Sequence, residues 1–328
     1  MIAAASSNVS AGSLVKPTYD QIRSFQLAGG SVQLTNRVFR RDRVTMTLTG
    51  SIYFSAPIDG RVMGAVFIGQ GNLRAEVPES TFEKANVRRM LKADVIESDF
   101  TSAVFRFTDD TFELLGGGSQ AGPVPPEAQK LASEIDARVL KQTGANLSSR
   151  LALSVVNAEL PGIFFAHFDG GKLGDFSFLF DPETRIPTAN FDLNGGEKGL
   201  IFRYNKILLD NDVLMGFYSL SDYQRRIVEY SDTNDLVDIS HYDMDIDLRN
   251  PRSRLGLNCR ITMKARTDGV RVIPFSVGES LGEAEDQRLK KQLHVLSVKY
   301  GGAEVETMQE NWEGGFAVVL PSPLTAGQ

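Results

Sequence analysis

Three aspartates at alternate positions are the first residues whose spacing suggests chemistry. Asp243, Asp245 and Asp247 have the D-x-D-x-D spacing that opens a calcium-binding loop. A loop of the EF-hand type also needs glycine at its sixth position and a bidentate glutamate at its twelfth, where this sequence has Leu248 and Arg254. The spacing is better explained by the solvent-facing side of a β-strand, since acidic side chains there discourage edge-to-edge pairing.

The three histidines are the other candidate metal ligands. His167 and His241 each stand two residues before an aspartate, Asp169 and Asp243, and two such pairs could share a metal ion. Zinc sites normally need three or four ligands held by further hydrogen-bond partners, and the spacing of these pairs and of His294 does not place them on one element. We therefore expect no metal site, no catalytic residue and no bound cofactor in this chain.

The remaining conspicuous residues have structural explanations. Gly116 to Pro126 matches neither phosphate-binding glycine motif, and its composition predicts a flexible linker that ends in a stiffer proline segment. Cys259 is the single cysteine, so an internal disulfide is excluded and the thiol is expected to pack in the core. Trp312 is expected at a hairpin tip, packing across strands.

Composition limits the partners. The net charge is −6 and the lysines and arginines are scattered, so there is no basic stripe to neutralise phosphates and nucleic acid is not an expected partner. No apolar run reaches the roughly 18 residues that cross a bilayer. Met1 to Ala11 lacks the basic and apolar regions of a complete secretory signal, so the sequence leaves the localisation open.

The aspartates lie within a pattern of long strands. Apolar residues alternate with them from position 242 to 248, and the alternation resumes from Leu257 to Ala265. Because successive strand side chains point to opposite faces, this predicts two half-buried strands, with Met263 on the buried face and Lys264 on the exposed one. Further strands are predicted at Val270–Val277, Leu293–Tyr300, Ala303–Met308 and Phe316–Leu320.

The first third of the chain has the pattern of an antiparallel meander. Strands are predicted at Val32–Phe39, Val44–Phe54, Arg61–Ile68, Asn72–Val77 and Ser102–Phe107. Gly69-Gln70-Gly71 is assigned to a hairpin turn between two of them. Ser80 and Glu83 have the spacing of a capping box, which predicts a helix through about Leu91.

The middle third predicts a helical hairpin followed by strands. Pro126 suits the first turn of one helix, and Leu147 to Val156 forms the second. Strands are then predicted at Ile163–Phe168, Leu173–Phe180, Gly199–Tyr204, Val213–Tyr218 and Arg225–Tyr230.

The fold class is therefore mainly β with an α+β middle region. We divide the chain into a leader (1–20), a β-rich domain (21–115), a linker (116–126), an α+β domain (127–235) and a partial β-sandwich (236–328).

The last of these regions resembles a known family. The segments "HYDMDIDL", "LGLNCRITMKARTDGVRVIPF", "LHVLSVKYGGAEVE" and "FAVVLPSPLTAGQ" resemble, in this order, the start of the N-terminal β-sandwich of aminopeptidase N-like zinc metallopeptidases. The resemblance covers residues 239–328. The region before it is similar to an extension found in some large bacterial relatives.

The resemblance implies a non-catalytic role for this chain. In that family zinc, the general base and most substrate contacts lie on a following catalytic domain, and neither its G-x-M-E-N segment nor its H-E-x-x-H helix occurs in this sequence. The expected partners are then that catalytic domain and, through it, peptide substrates, and the expected location is periplasmic or extracellular. A stand-alone secreted module that binds protein or glycan is the alternative.

We predict that the purified chain neither retains zinc nor releases chromophore from alanine- or leucine-linked reporters, because it lacks two histidines one helical turn apart and a glutamate base. Metal analysis after dialysis, run beside the reporter assay, measures both properties. Stoichiometric zinc that disappears on His167→Ala or His241→Ala would contradict the prediction.

Overall fold

The structure, a computed structural model, describes residues 15–117, 122–143, 147–185, 196–205, 210–226, 235–249, 255–277, 293–309 and 315–328. Its helices are α1 (Val15–Ser24), α2 (Thr81–Leu91), α3 (Thr111–Leu114), α4 (Pro126–Thr143), α5 (Leu147–Val156) and α6 (Leu220–Arg225). Its strands are β1 (Val32–Arg41), β2 (Val44–Phe54), β3 (Gly64–Ala75), β4 (Ile96–Phe107), β5 (Phe164–Gly170), β6 (Phe176–Phe180), β7 (Gly199–Asn205), β8 (Asp210–Phe217), β9 (Val237–Asp247), β10 (Gly256–Ala265), β11 (Val270–Ser276), β12 (Val298–Tyr300), β13 (Ala303–Met308) and β14 (Gly315–Leu324).

The predicted fold class is confirmed: the protein is mainly β, with antiparallel sheets and helices in its middle region. Strands β1 to β8 form one eight-stranded antiparallel sheet in which each strand pairs with the next along the chain. Strand β4 pairs directly with β5, for example at Phe105 and Ala166. The sheet therefore runs across the predicted linker at 116–126, and that proposed domain boundary does not coincide with a break in the sheet.

The eight-stranded sheet is rolled. In a flat sheet, β1 and β5 would lie about 19 Å apart, because neighbouring strands are about 4.8 Å apart. The rings of Phe39 in β1 and Phe164 in β5 instead have centroids 6.0 Å apart. One end of the roll is joined where Asp42, in the turn after β1, accepts a hydrogen bond of 2.9 Å from the backbone N–H of Leu220, just after β8.

Phenylalanine fills the inside of the roll. The largest buried side chains that face inward are Phe67, Phe105, Phe107, Phe164, Phe168, Phe176, Phe178 and Phe217. Many of them meet edge to face or stacked, as Phe168 does on Phe176 at 4.8 Å. Their neighbours in sequence, such as Val104, Phe165 and Leu179, face outward and pack under α1, α4, α5 and the C-terminal sheet. Both faces of the central strands are therefore buried.

Two glycines allow the strands to bend into the roll. Gly50 in β2 and Gly69 in β3 are register partners, with φ of 151° and 157°. A side chain on Gly50 would come within 2.7 Å of the Cα of Gly69, so only glycine fits this close backbone approach. The hairpin turn predicted at Gly69-Gln70-Gly71 is wrong, because these residues form a register shift inside the continuous strand β3.

A second, smaller sheet in the order β11-β14-β13-β12 packs beside the roll. Asn157, at the end of α5, links the two: its amide donates to the carbonyl of Val272 at 2.9 Å and its oxygen accepts from the N–H groups of Arg271 and Val272. Within the described part of the chain, no helix is both long and apolar enough to cross a bilayer.

The strand predicted at Arg225–Tyr230 is wrong where the chain is described. Arg225 ends helix α6, while residues 227–230 lie outside the described residues. Ser219 starts this helix through a reciprocal capping box with Asp222, a local signal for a helix rather than a strand at this point of the sequence. Helices α4 and α5 start where they were predicted.

We predict that Phe164→Ala lowers the free energy of unfolding by about 3–5 kcal/mol, because it leaves a cavity among close-packed rings. Val38→Ala, on the exposed side of β1, is the matched control and should change it by less than about 0.5 kcal/mol. Urea unfolding measures both variants. Similar losses for the two would contradict the assignment of the interior.

Candidate interaction surface

Strands β9 and β10 form a two-stranded ribbon that pairs with no other described strand. Its register places Ile246 opposite Leu257, Met244 opposite Cys259 and Tyr242 opposite Ile261. Directly opposed residues share a face of a sheet. The apolar ribbon face therefore comprises Tyr242, Met244, Ile246, Leu248, Leu257, Cys259 and Ile261.

The apolar ribbon face is open to solvent. Five of its large side chains are between 43% and 59% exposed: Tyr242, Met244, Ile246, Leu248 and Leu257. The prediction of half-buried strands is thus wrong for the outer part of the ribbon, where the alternation is present but nothing described covers the apolar side. An exposed row of apolar side chains of this kind is typical of an interaction site.

The base of the ribbon is held by the protein core. Val237 and Met263 pack against the core, and Ala265 is buried. The C-terminal turn joins here: the N–H of Ala265 donates to the carbonyl of Gln328 at 2.9 Å, and Gly327 donates to the carbonyl of Ala265 at 2.8 Å. The apolar ribbon face is therefore an outward continuation of the core.

A β-bulge keeps the apolar residues on one side. Met263 pairs with Ile239, but Thr262 pairs with His241, so Ser240 is an extra residue in β9. The extra residue shifts the alternation by one position. The sequence carries this signal, because its apolar residues fall at 237 and 239 and then at 242, 244, 246 and 248.

The three aspartates lie on the opposite, polar face of the ribbon. Asp243 stands opposite Arg260, and Asp245 opposite Asn258, while Asp247 binds Arg249 at 2.6 Å. Alternate residues of a strand are about 7 Å apart, so three extended aspartates do not converge on one ion. Their placement on a solvent-facing strand is as predicted.

The histidines do not come together. His167 is buried in β5, where its Nδ1 lies 2.9 Å from the hydroxyl of Ser177, whereas His241 is on the exposed ribbon and His294 is exposed before β12. Among the described residues, no group of three or more His, Cys, Asp or Glu side chains is arranged to hold a metal ion. Trp312 lies outside the described residues.

The prediction that Cys259 packs in the core is wrong. The thiol is exposed because it belongs to the apolar ribbon face, which the alternation correctly marked as apolar but which is not covered. The accessibility of the Cys259 thiol therefore indicates whether the apolar ribbon face is covered.

A crevice of about 190 Å³ opens near the ribbon base, lined in part by Glu159, Glu183, Arg185 and Asp268. Burial would raise the pKa of Asp181, but the guanidinium of Arg150, 2.7 Å away, holds it below its ordinary value. Glu159 accepts from Arg150 and Arg185, each at 2.6 Å. These paired charges fix the loop after β6 against α5.

Comparisons of the chain with models of known families, with curated proteins and with solved structures find no match.

We predict that Met263→Asp lowers the free energy of unfolding by roughly 1–3 kcal/mol, because it places a carboxylate against the core at the ribbon base. Lys264→Asp, one residue along on the exposed face, should change it by less than about 0.5 kcal/mol. Equal melting temperatures for the two variants would refute the assigned faces.

Proposed function

We propose that this chain is a non-catalytic module that packs through its apolar ribbon face against another protein domain. The observation that carries the proposal is the half-exposed row of Tyr242, Met244, Ile246 and Leu248 on one side of the ribbon. A soluble protein rarely leaves such a row uncovered.

The shape of the surface favours a protein partner over a small molecule. From Tyr242 to Leu248 the strand extends about 20 Å, and the crevice at the ribbon base includes none of the apolar ribbon face residues. Small ligands bind in concave sites, whereas a flat apolar strip with charged surroundings suits the packing of a second layer of structure.

The resemblance of residues 239–328 to aminopeptidase N-like zinc metallopeptidases suggests the identity of the partner. In those proteins the sandwich flanks a catalytic domain that carries zinc, and the present chain would support such a domain and help to shape access to its cleft.

The reading frame beyond the codon for Gln328 provides the first test. The proposal expects a G-x-M-E-N segment followed by an H-E-x-x-H helix there. An in-frame stop codon in the gene would refute the peptidase assignment and favour a stand-alone binding module.

Docking is then measured with a polarity-sensitive fluorophore on Cys259 and the separately purified downstream domain. We predict a blue shift and slower thiol labelling when that domain is added, because docking dries the apolar ribbon face. A fluorophore on Asn258→Cys in a Cys259→Ser background reports the polar face and should not respond.

Two substitutions separate packing from charge. Met244→Asp should weaken docking by at least about tenfold, since it leaves a buried charge without a partner, while Asp245→Asn on the polar face should leave it unchanged. Unaltered labelling of Cys259 in the presence of the domain would reject docking at this face.

A further inference from the structure

Helix α2 covers the outer edge of β8, the last strand of the rolled sheet. The side-chain amide of Asn86 donates to the carbonyls of Val213 and Leu214 at 3.2 and 3.1 Å. The carboxyl group of Glu83 accepts from the N–H of Gly216 at 3.2 Å. These are the backbone groups that an added strand would use, so α2 occupies the place of a ninth strand.

Glu83 serves this contact in place of the predicted capping box. Ser80 does cap the helix, because its hydroxyl accepts from the N–H of Glu83 at 3.5 Å. The Glu83 side chain, however, turns to Gly216 rather than back to Ser80. The residue is only 7% exposed, and no cation among the described residues forms an ion pair with it.

The charged groups around Glu83 are engaged elsewhere or share its sign. Glu197, in the segment before β7, is also buried and acts on Glu83 as a like charge. Arg43, in the turn before β2, lies over the ring of Tyr223 in α6 at 4.6 Å. Lys198 binds Asp222 at 3.0 Å.

The remaining charged neighbours do not neutralise the Glu83 carboxyl group. Asp42 is held by the N–H of Leu220, and Asp212 of β8 pairs with Arg203 at 3.3 Å. On α2 itself, Lys84 and Arg88 are exposed. Burial and the Glu197 carboxylate raise the pKa of Glu83 to about 7, although the Gly216 hydrogen bond opposes the shift.

We propose that α2 is a pH-dependent cover on the edge of β8, docked while the buried Glu83 carboxyl is protonated and opening more often once this carboxyl is charged. The device is independent of the ribbon and of the proposed function. The proposed opening makes the edge of β8 more accessible as the pH rises.

The direction follows from linkage. A carboxyl that titrates higher when docked than when released stabilises the docked form fully below its ordinary pKa of 4.5, and that stabilisation is lost as pH rises through about 7. Between pH 6 and pH 8 the docking equilibrium should therefore fall about tenfold.

Hydrogen exchange at the backbone N–H of Gly216, the amide of β8 that donates to Glu83, tests the proposal. After correction for the intrinsic rate, protection there should fall about tenfold from pH 6 to pH 8 in the natural protein, while Phe105 in the centre of the sheet stays constant. Glu83→Gln should show no such fall, and Glu127→Gln, an exposed acid in the first turn of α4, should behave like the natural protein.

An unchanged protection between the two pH values, or the same fall in Glu83→Gln, overturns the proposal. Circular dichroism checks that each variant is folded. Should Glu83→Gln fail to fold, Glu197→Gln removes the neighbouring charge instead, and it must show a smaller fall than the natural protein; an undiminished tenfold fall there would equally overturn the proposal.

Discussion

The packing of phenylalanine rings inside the rolled sheet is the constraint on which the other features depend. Eight antiparallel strands surround Phe105, Phe164, Phe168 and their neighbours so closely that the interior is a core and not a ligand cavity. Rings of this size require the strands to curve, and Gly50 and Gly69 provide the close approach that the curve needs. The described interior of the roll is therefore filled by side chains.

Two surfaces lie outside the rolled sheet: the edge formed by β8 and the ribbon formed by β9 and β10. A hydrogen bond from Leu220, just after β8, to Asp42, just after β1, joins the two ends of the sheet, and α2 packs along β8. On the opposite side, α5 and Asn157 hold the small C-terminal sheet, from whose base the β9–β10 ribbon extends. Polar contacts from α2 cover the edge of β8, whereas the apolar ribbon face is exposed.

Alternation in the sequence predicted which residues share a face but not what lies against that face. Val44–Phe54 was predicted with its observed bounds because its apolar side meets the core. Tyr242 and Met244 have the same pattern, yet they are half exposed, since period-two spacing reports amphipathicity and not burial. The reach of Glu83 to Gly216 spans 133 positions, and no local spacing encodes it. The relationship of residues 239–328 to zinc aminopeptidases is a proposal that rests on their sequence resemblance.

The bulge at Ser240 determines which side chains of β9 lie on the apolar face of the ribbon and which lie on the polar face. The hydroxyl of Ser240 donates a hydrogen bond of 3.2 Å to the carbonyl of Thr262, and this extra residue sets the phase of every residue beyond it in β9. Loss of this one codon would turn Asp243, Asp245 and Asp247 to the side now occupied by Tyr242, Met244 and Ile246. A change in the length of β9 therefore preserves the two faces of the ribbon only when residues are added or removed in pairs.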